Sequence, residues 1–192
     1  MASHSQASDT ETVKIDSAGD VLLIVGSAEP ATRLLVSSKA LSLSSPVFKA
    51  MFGPRYKEGS DLNLNCPTEV SLPEDDPEAM TLLCNCLHFR TDHIPRNIEF
   101  PLIKALAILC DKYDTGKAIS AWSVLWFQKW ETSKCEDGFE GLLMAIYALD
   151  CAEAFAKISK MAILEQVGPF DTRKILDGFD MVPDSLLGRG KL

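Results

Sequence analysis

The chain has 192 residues, of which 46% are hydrophobic, and carries 27 acidic against 19 basic side chains for a formal charge of −8. That apolar content supports a core of ordinary size and excludes disorder over most of the chain. The acidic balance, with no cluster of Lys and Arg, argues against binding a phosphate backbone, so no nucleic-acid partner is expected.

Residues 1–17 are rich in Ser, Thr, Asp and Glu and read as a flexible tail, although Val13 and Ile15 alternate with polar neighbours and allow a short strand. The opening Met1-Ala2-Ser3-His4-Ser5-Gln6 lacks the basic and apolar regions of a signal peptide. Val21-Leu22-Leu23-Ile24-Val25, bounded by Gly19 and Gly26, is too short for a helix and predicts a buried strand. Gly26 to Pro30 supplies a turn, and Arg33-Leu34-Leu35-Val36 a second strand, so a hairpin is expected.

A serine-studded helical stretch follows. Ser45-Pro46 is a helix start, because serine caps free amides and proline suits the first turn. Val47, Phe48, Met51 and Phe52 then recur at helical spacing, which predicts that both phenylalanines are core, until Gly53-Pro54 stops the helix. The next stretch, to Cys66, reads as a loop, followed by a strand near Val70-Ser71-Leu72. Asp76-Pro77-Glu78 is the sharpest local signal: a cap, a first-turn proline and an acid that suits the helix dipole. Met80, Leu83, Cys84 and Leu87 continue it at i, i+3, i+4 and i+7.

After a polar break, Pro101 opens another helix, with Leu102, Leu106, Leu109 and Tyr113 on one face and Gly116 as its expected stop. Ile119, Trp122, Trp126 and Trp130 form a stripe on a long helix, more suited to a core than to a ligand platform. A further helix is expected from about Gly138 to Leu149, and another after it, with Asp150 to Glu153 as a capping pattern and Gly168-Pro169 as its end. Asp150, Glu153, Lys157 and Lys160 interrupt the most apolar segment, Leu142 to Leu164, so no membrane span is expected.

Chemistry-bearing motifs fail in turn. Gly116-Lys117 resembles the end of a phosphate loop, but that loop requires glycine where Asp111 stands and Ser or Thr where Ala118 stands. Cys84, Cys86, His88 and His93 make one potential zinc cluster, whereas zinc sites pair two knuckles; Cys84 suits the core better, and His88 suits a helix end with exposed carbonyls. Neither a Gly-x-Ser-x-Gly elbow nor a local cysteine-protease signature occurs. The six cysteines read as reduced thiols in apolar surroundings. No cofactor, metal or catalytic residue is assigned.

One ordered constellation remains. It comprises Asp20-Val21, then Val36-Ser37-Ser38-Lys39-Ala40-Leu41 and Ser44-Ser45-Pro46-Val47-Phe48-Lys49-Ala50-Met51-Phe52. Tyr56-Lys57-Glu58-Gly59, Val70-Ser71-Leu72-Pro73-Glu74-Asp75-Asp76-Pro77 and Leu109-Cys110-Asp111-Lys112-Tyr113 follow in order. Together these resemble a BTB/POZ domain of the single type found in many fungal proteins, well over Asp20 to Tyr113 and loosely beyond. The resemblance implies an α+β domain, residues 18–134, in which a three-stranded sheet is flanked by helical hairpins; residues 135–192 would be a helical extension.

The work implied is binding other proteins inside the cell, in cytoplasm or nucleus, as a scaffold or adaptor. Tyr56-Lys57-Glu58 matches the hydrophobic-x-Glu pattern of members that bridge substrates to cullin-type ubiquitin ligases, which makes Tyr56 and Glu58 the candidate partner-binding residues. A transcription co-regulator is the alternative within the family, and a cysteine-dependent enzyme the alternative outside it. Two features depart from the family: Ser37 stands where a histidine is frequent, and the N-terminal dimerisation helix of many animal members has no counterpart. A monomer or weak homodimer is therefore expected.

Overall fold

The five apolar residues Val21–Val25 lie inside a sheet, with Val21, Leu23 and Val25 buried on one face and Leu22 and Ile24 half-buried on the other. The computed structural model describes residues 11–54, 66–128 and 139–165. They form an α+β architecture whose chain divides into two compact units, Met1–Ile94 and Pro95–Leu192.

The first unit is built on a four-stranded mixed sheet of order β1-β3-β2-β4. Strands β2 (Val21–Val25) and β3 (Thr32–Val36) form the expected antiparallel hairpin, with Leu23 opposite Leu34. Strand β4 (Thr68–Leu72) returns parallel to β2, and β1 (Thr12–Lys14) adds in parallel to the other edge, on β3. The sheet thus has four strands rather than three. Residues 12–14 belong to it instead of to a tail, because Val13 pairs with Leu34 and Ile15 is buried.

Side chains alternate across the pleat. Val21, Leu23, Val25, Leu34 and Val36 are wholly buried, and Val70 and Leu72 join them on β4. Two short helices follow β3: α1 (Ser38–Ser44) and α2 (Pro46–Met51). Ser45 separates them because its extended backbone ends one and its hydroxyl caps the other, accepting from the Phe48 amide at 2.9 Å. Phe48 and Phe52 are both core, their rings stacked at 5.9 Å. Helix α3 (Pro77–Leu87) begins as its sequence predicts, with the Asp76 carboxylate accepting from the Ala79 amide at 2.8 Å. Met80, Leu83, Cys84 and Leu87 are buried.

The second unit is helical: α4 (Phe100–Tyr113), α5 (Gly116–Phe127), α6 (Phe139–Ala148) and α7 (Ala152–Glu165). Leu106, Leu109, Tyr113, Ile119 and Trp126 are buried, Leu102 and Trp122 only half so, and Trp130 lies outside the described residues. The Trp126 indole donates to the Pro95 carbonyl at 2.9 Å, satisfying the one polar atom of that ring.

Two helix boundaries differ from expectation for one physical reason. Asp114 and Asp150 occupy left-handed backbone at φ 49° and 52° and take the position after a helix that glycine usually fills. Asp150 therefore closes α6 rather than capping α7. Gly116, in turn, opens α5 instead of stopping α4: a Cβ there would lie 2.5 Å from the Ala148 carbonyl oxygen, so glycine lets α5 start against the end of α6. The expected boundary near residue 134 and the expected stop at Gly168-Pro169 lie outside the described residues. Among the described residues, no helix is long and apolar enough to cross a membrane.

Candidate interaction site

Tyr56 and Glu58 lie outside the described residues, directly after the α2 segment and its Gly53-Pro54 stop. The chemistry that can be built atom by atom sits elsewhere in the first unit, where the starts of β2 and α1 meet the end of α3.

The first turn of any helix leaves amides without partners, and α1 finds them from three directions. Ser37, the N-cap, receives the Ala40 amide on its hydroxyl at a long 3.4 Å. Asp20, at the mouth of β2, takes the Ser38 amide at 2.7 Å and the Ser38 hydroxyl at 2.6 Å, one on each carboxylate oxygen. His88, which caps the end of α3, takes the Ser37 amide on Nε2 at 3.0 Å, and its Nδ1 lies 2.8 Å from the Cys84 carbonyl. An amide can only donate and a carbonyl only accept, so the neighbours fix the tautomer: Nδ1 carries the proton and Nε2 is bare.

Serine, histidine and aspartate thus converge here with residue types that would suit nucleophilic catalysis. The connectivity is different: the Ser38 hydroxyl donates to a carboxylate rather than to the imidazole, and both ring nitrogens are occupied by backbone. The arrangement ties α1 to β2 and α3. The expectation that His88 meets exposed carbonyls at a helix end holds at Cys84. In contrast, the relevance of Ser37, Ser38 and Asp20 to that end could not be read from spacing alone.

The next residue is the one that sequence reasoning missed. Phe89 is 85% exposed and sits at φ 56°. Its amide donates to the Cys86 carbonyl and the Arg90 amide to the Asn85 carbonyl, the paired bonds of a helix end that normally has glycine at the left-handed position. A phenylalanine there carries a steric penalty of about 1–2 kcal/mol and buries almost nothing in return. The signal available was a helix ending in Leu87-His88-Phe89-Arg90 with no glycine after it.

Both flanks of Phe89 are held. His88 is fixed as described, and the Arg90 guanidinium donates to the Lys14 carbonyl at 2.9 Å and to His93 Nε2 at 2.7 Å. Ile15 points its amide at Leu35 of β3, so the Lys14 carbonyl faces the outer edge of β1, where Arg90 covers it. Covering an edge group removes one place at which a foreign strand could pair. The ring of Phe89 is accordingly presented from a braced corner.

Burial pushes the thiols of Cys84 and Cys86 up to about 12, with each other's proximity adding to the effect at Cys84, and both are buried among core side chains. Such thiols are poor nucleophiles at neutral pH. Cys110 and Cys151 are also buried, in line with the apolar setting expected for most of the cysteines, whereas Cys66 is exposed and Cys135 lies outside the described residues. His88 is used by backbone and Cys84 is internal, and among the described residues no three side chains of metal-binding type converge.

In the second unit a cleft of about 660 Å³ opens where α4 and α6 end and α5 and α7 begin. Asp114 and Asp150 stand on its rim with Lys117, and Tyr147 and Phe155, in edge-on contact at 6.4 Å, give it an aromatic side. The two aspartates are already explained by the left-handed helix ends they occupy.

Compared with known proteins, the chain matches no family model and no curated protein.

Proposed function

We propose that this chain is a protein–protein interaction module acting as a scaffold or adaptor of the BTB/POZ kind, and in its narrower form a substrate adaptor of a cullin-type ubiquitin ligase. The observation that carries the reading is the order of elements in the first unit. A β-hairpin is followed by two short capped helices, a strand that returns parallel to the first strand of the hairpin and a proline-started helix. These elements fall on the residues that carry the sequence resemblance: Asp20 anchors the first helix, Ser45-Pro46 starts the second and Asp76-Pro77 starts the third. Phe89 adds to this, since an exposed aromatic on a braced corner suits recognition of another protein better than catalysis.

The test is direct binding between the purified full chain and the purified N-terminal region of a cullin scaffold. Saturable binding in the micromolar range or tighter supports the adaptor form. Its absence at concentrations of the order of 100 μM, where a Kd of about 1 mM would still leave a trace, ends that form.

A further inference from the structure

Besides capping a helix, His88 joins two elements far apart in sequence through a bond that exists in only one of its charge states. Its Nε2 accepts from the Ser37 amide across 51 positions of chain, while Nδ1–H is committed to the Cys84 carbonyl. Adding a proton to the ring must place it on Nε2, where two N–H groups would then face each other across 3.0 Å. Protonation of His88 and the Ser37–His88 hydrogen bond are mutually exclusive.

We propose that His88 is a proton-operated latch, which when neutral holds Ser37, the N-cap of α1, to the end of α3 and when protonated releases that cap residue. The groups around it set its balance. Burial lowers its affinity for a proton below that of an ordinary histidine. The bond to Cys84 and the Asp16 carboxylate, from the turn after β1, favour the charged ring, whereas the Arg90 guanidinium opposes it. Asp20, from β2, is occupied by Ser38, and His93 faces the latch only through Arg90. Cys84 is uncharged at neutral pH because its thiol lies at about 12.

The sign follows. A histidine whose folded pKa is depressed contributes stability that is fully present above its unfolded value, near 6.5, and that is lost as pH falls from there through the folded value. When the latch opens, Ser37 loses its acceptor while Ser38 keeps Asp20, so release begins at the N-cap.

The experiment is an NMR pH titration of the full chain that follows the His88 ring nitrogens and the Ser37 amide together. The expected result is a bare Nε2 at pH 7.5 and one shared midpoint below 6.5, with protection of the Ser37 amide against exchange falling at least tenfold across it. His88→Gln should abolish the Ser37 response, and Ser37→Ala, which keeps the amide, should retain it. A ring protonated on Nε2 at pH 7.5, a Ser37 amide that does not titrate with the ring, or an unchanged response in His88→Gln would each overturn the proposal. If His88→Gln does not fold, the wild-type co-titration decides alone.

Discussion

Phe48→Ala tests the packing of the first unit at one of its largest wholly buried side chains. Phe48 is wholly buried, its ring lies parallel to that of Phe52 within 6°, and its amide is the group that Ser45 caps. Removing the ring forfeits about 1.5–3 kcal/mol of transfer free energy. It also forfeits about 0.5–1.5 kcal/mol of ring–ring contact and leaves a cavity that the surrounding core closes only in part. The better helix propensity of alanine returns a few tenths of a kcal/mol. The expected loss is about 3–5 kcal/mol, the usual range for a buried phenylalanine.

All three tryptophans lie in the second unit, so indole fluorescence is the wrong probe for this variant. Urea unfolding should instead be followed by NMR amide signals of Leu23 and Leu34, with the midpoint falling by roughly 2 M at unchanged slope. Val47→Ala is the internal control: Val47 is 37% exposed, and the change should cost less than about 1 kcal/mol. A Phe48→Ala loss below that same figure would refute the packing account.

Other perturbations probe other links. Phe89→Gly should raise the stability of the first unit by about 0.5–1 kcal/mol, since glycine removes left-handed strain while returning some chain entropy; a loss of stability would show that the ring is packed. Gly116→Ala places a methyl group 2.5 Å from the Ala148 oxygen and should cost about 1–3 kcal/mol, read by urea unfolding through Trp126; an unchanged midpoint would mean that α5 and α6 separate freely. Alkylation at pH 7 should modify exposed Cys66 quickly and Cys84 and Cys86 only on unfolding, because burial holds both thiols near 12. Rapid modification of either in the native protein, located by mass spectrometry, would contradict their placement.

Local chemistry made much of this fold legible in advance. Asp76-Pro77 and Ser45-Pro46 mark helix starts because cap and proline act within one turn, and the hairpin follows from two apolar runs around one short connection. The features that escaped are non-local or break a local preference. Strand β1 exists through its pairing with β3, with Thr12 aligned to Arg33, which alternation in a polar tail only hints at. Asp114, Asp150 and Phe89 each take a left-handed position that pattern reading reserves for glycine, and this moved the ends of α4 and α6 and hid the exposed ring. The tie between Ser37 and His88 spans 51 positions and depends on which ring nitrogen is bare, a detail that no sequence spacing encodes. Tyr56 and Glu58 rest on the family resemblance, because they fall outside the described residues.

The central claim is decided by titrating a purified cullin N-terminal region into the full chain and into its Tyr56→Ala, Glu58→Ala double variant by calorimetry. The account predicts saturable binding by the parent and a loss of about 2 kcal/mol or more, roughly thirtyfold in Kd, in a variant whose melting temperature is unchanged. No heat of binding from the parent, or equal affinity in parent and variant, would contradict it.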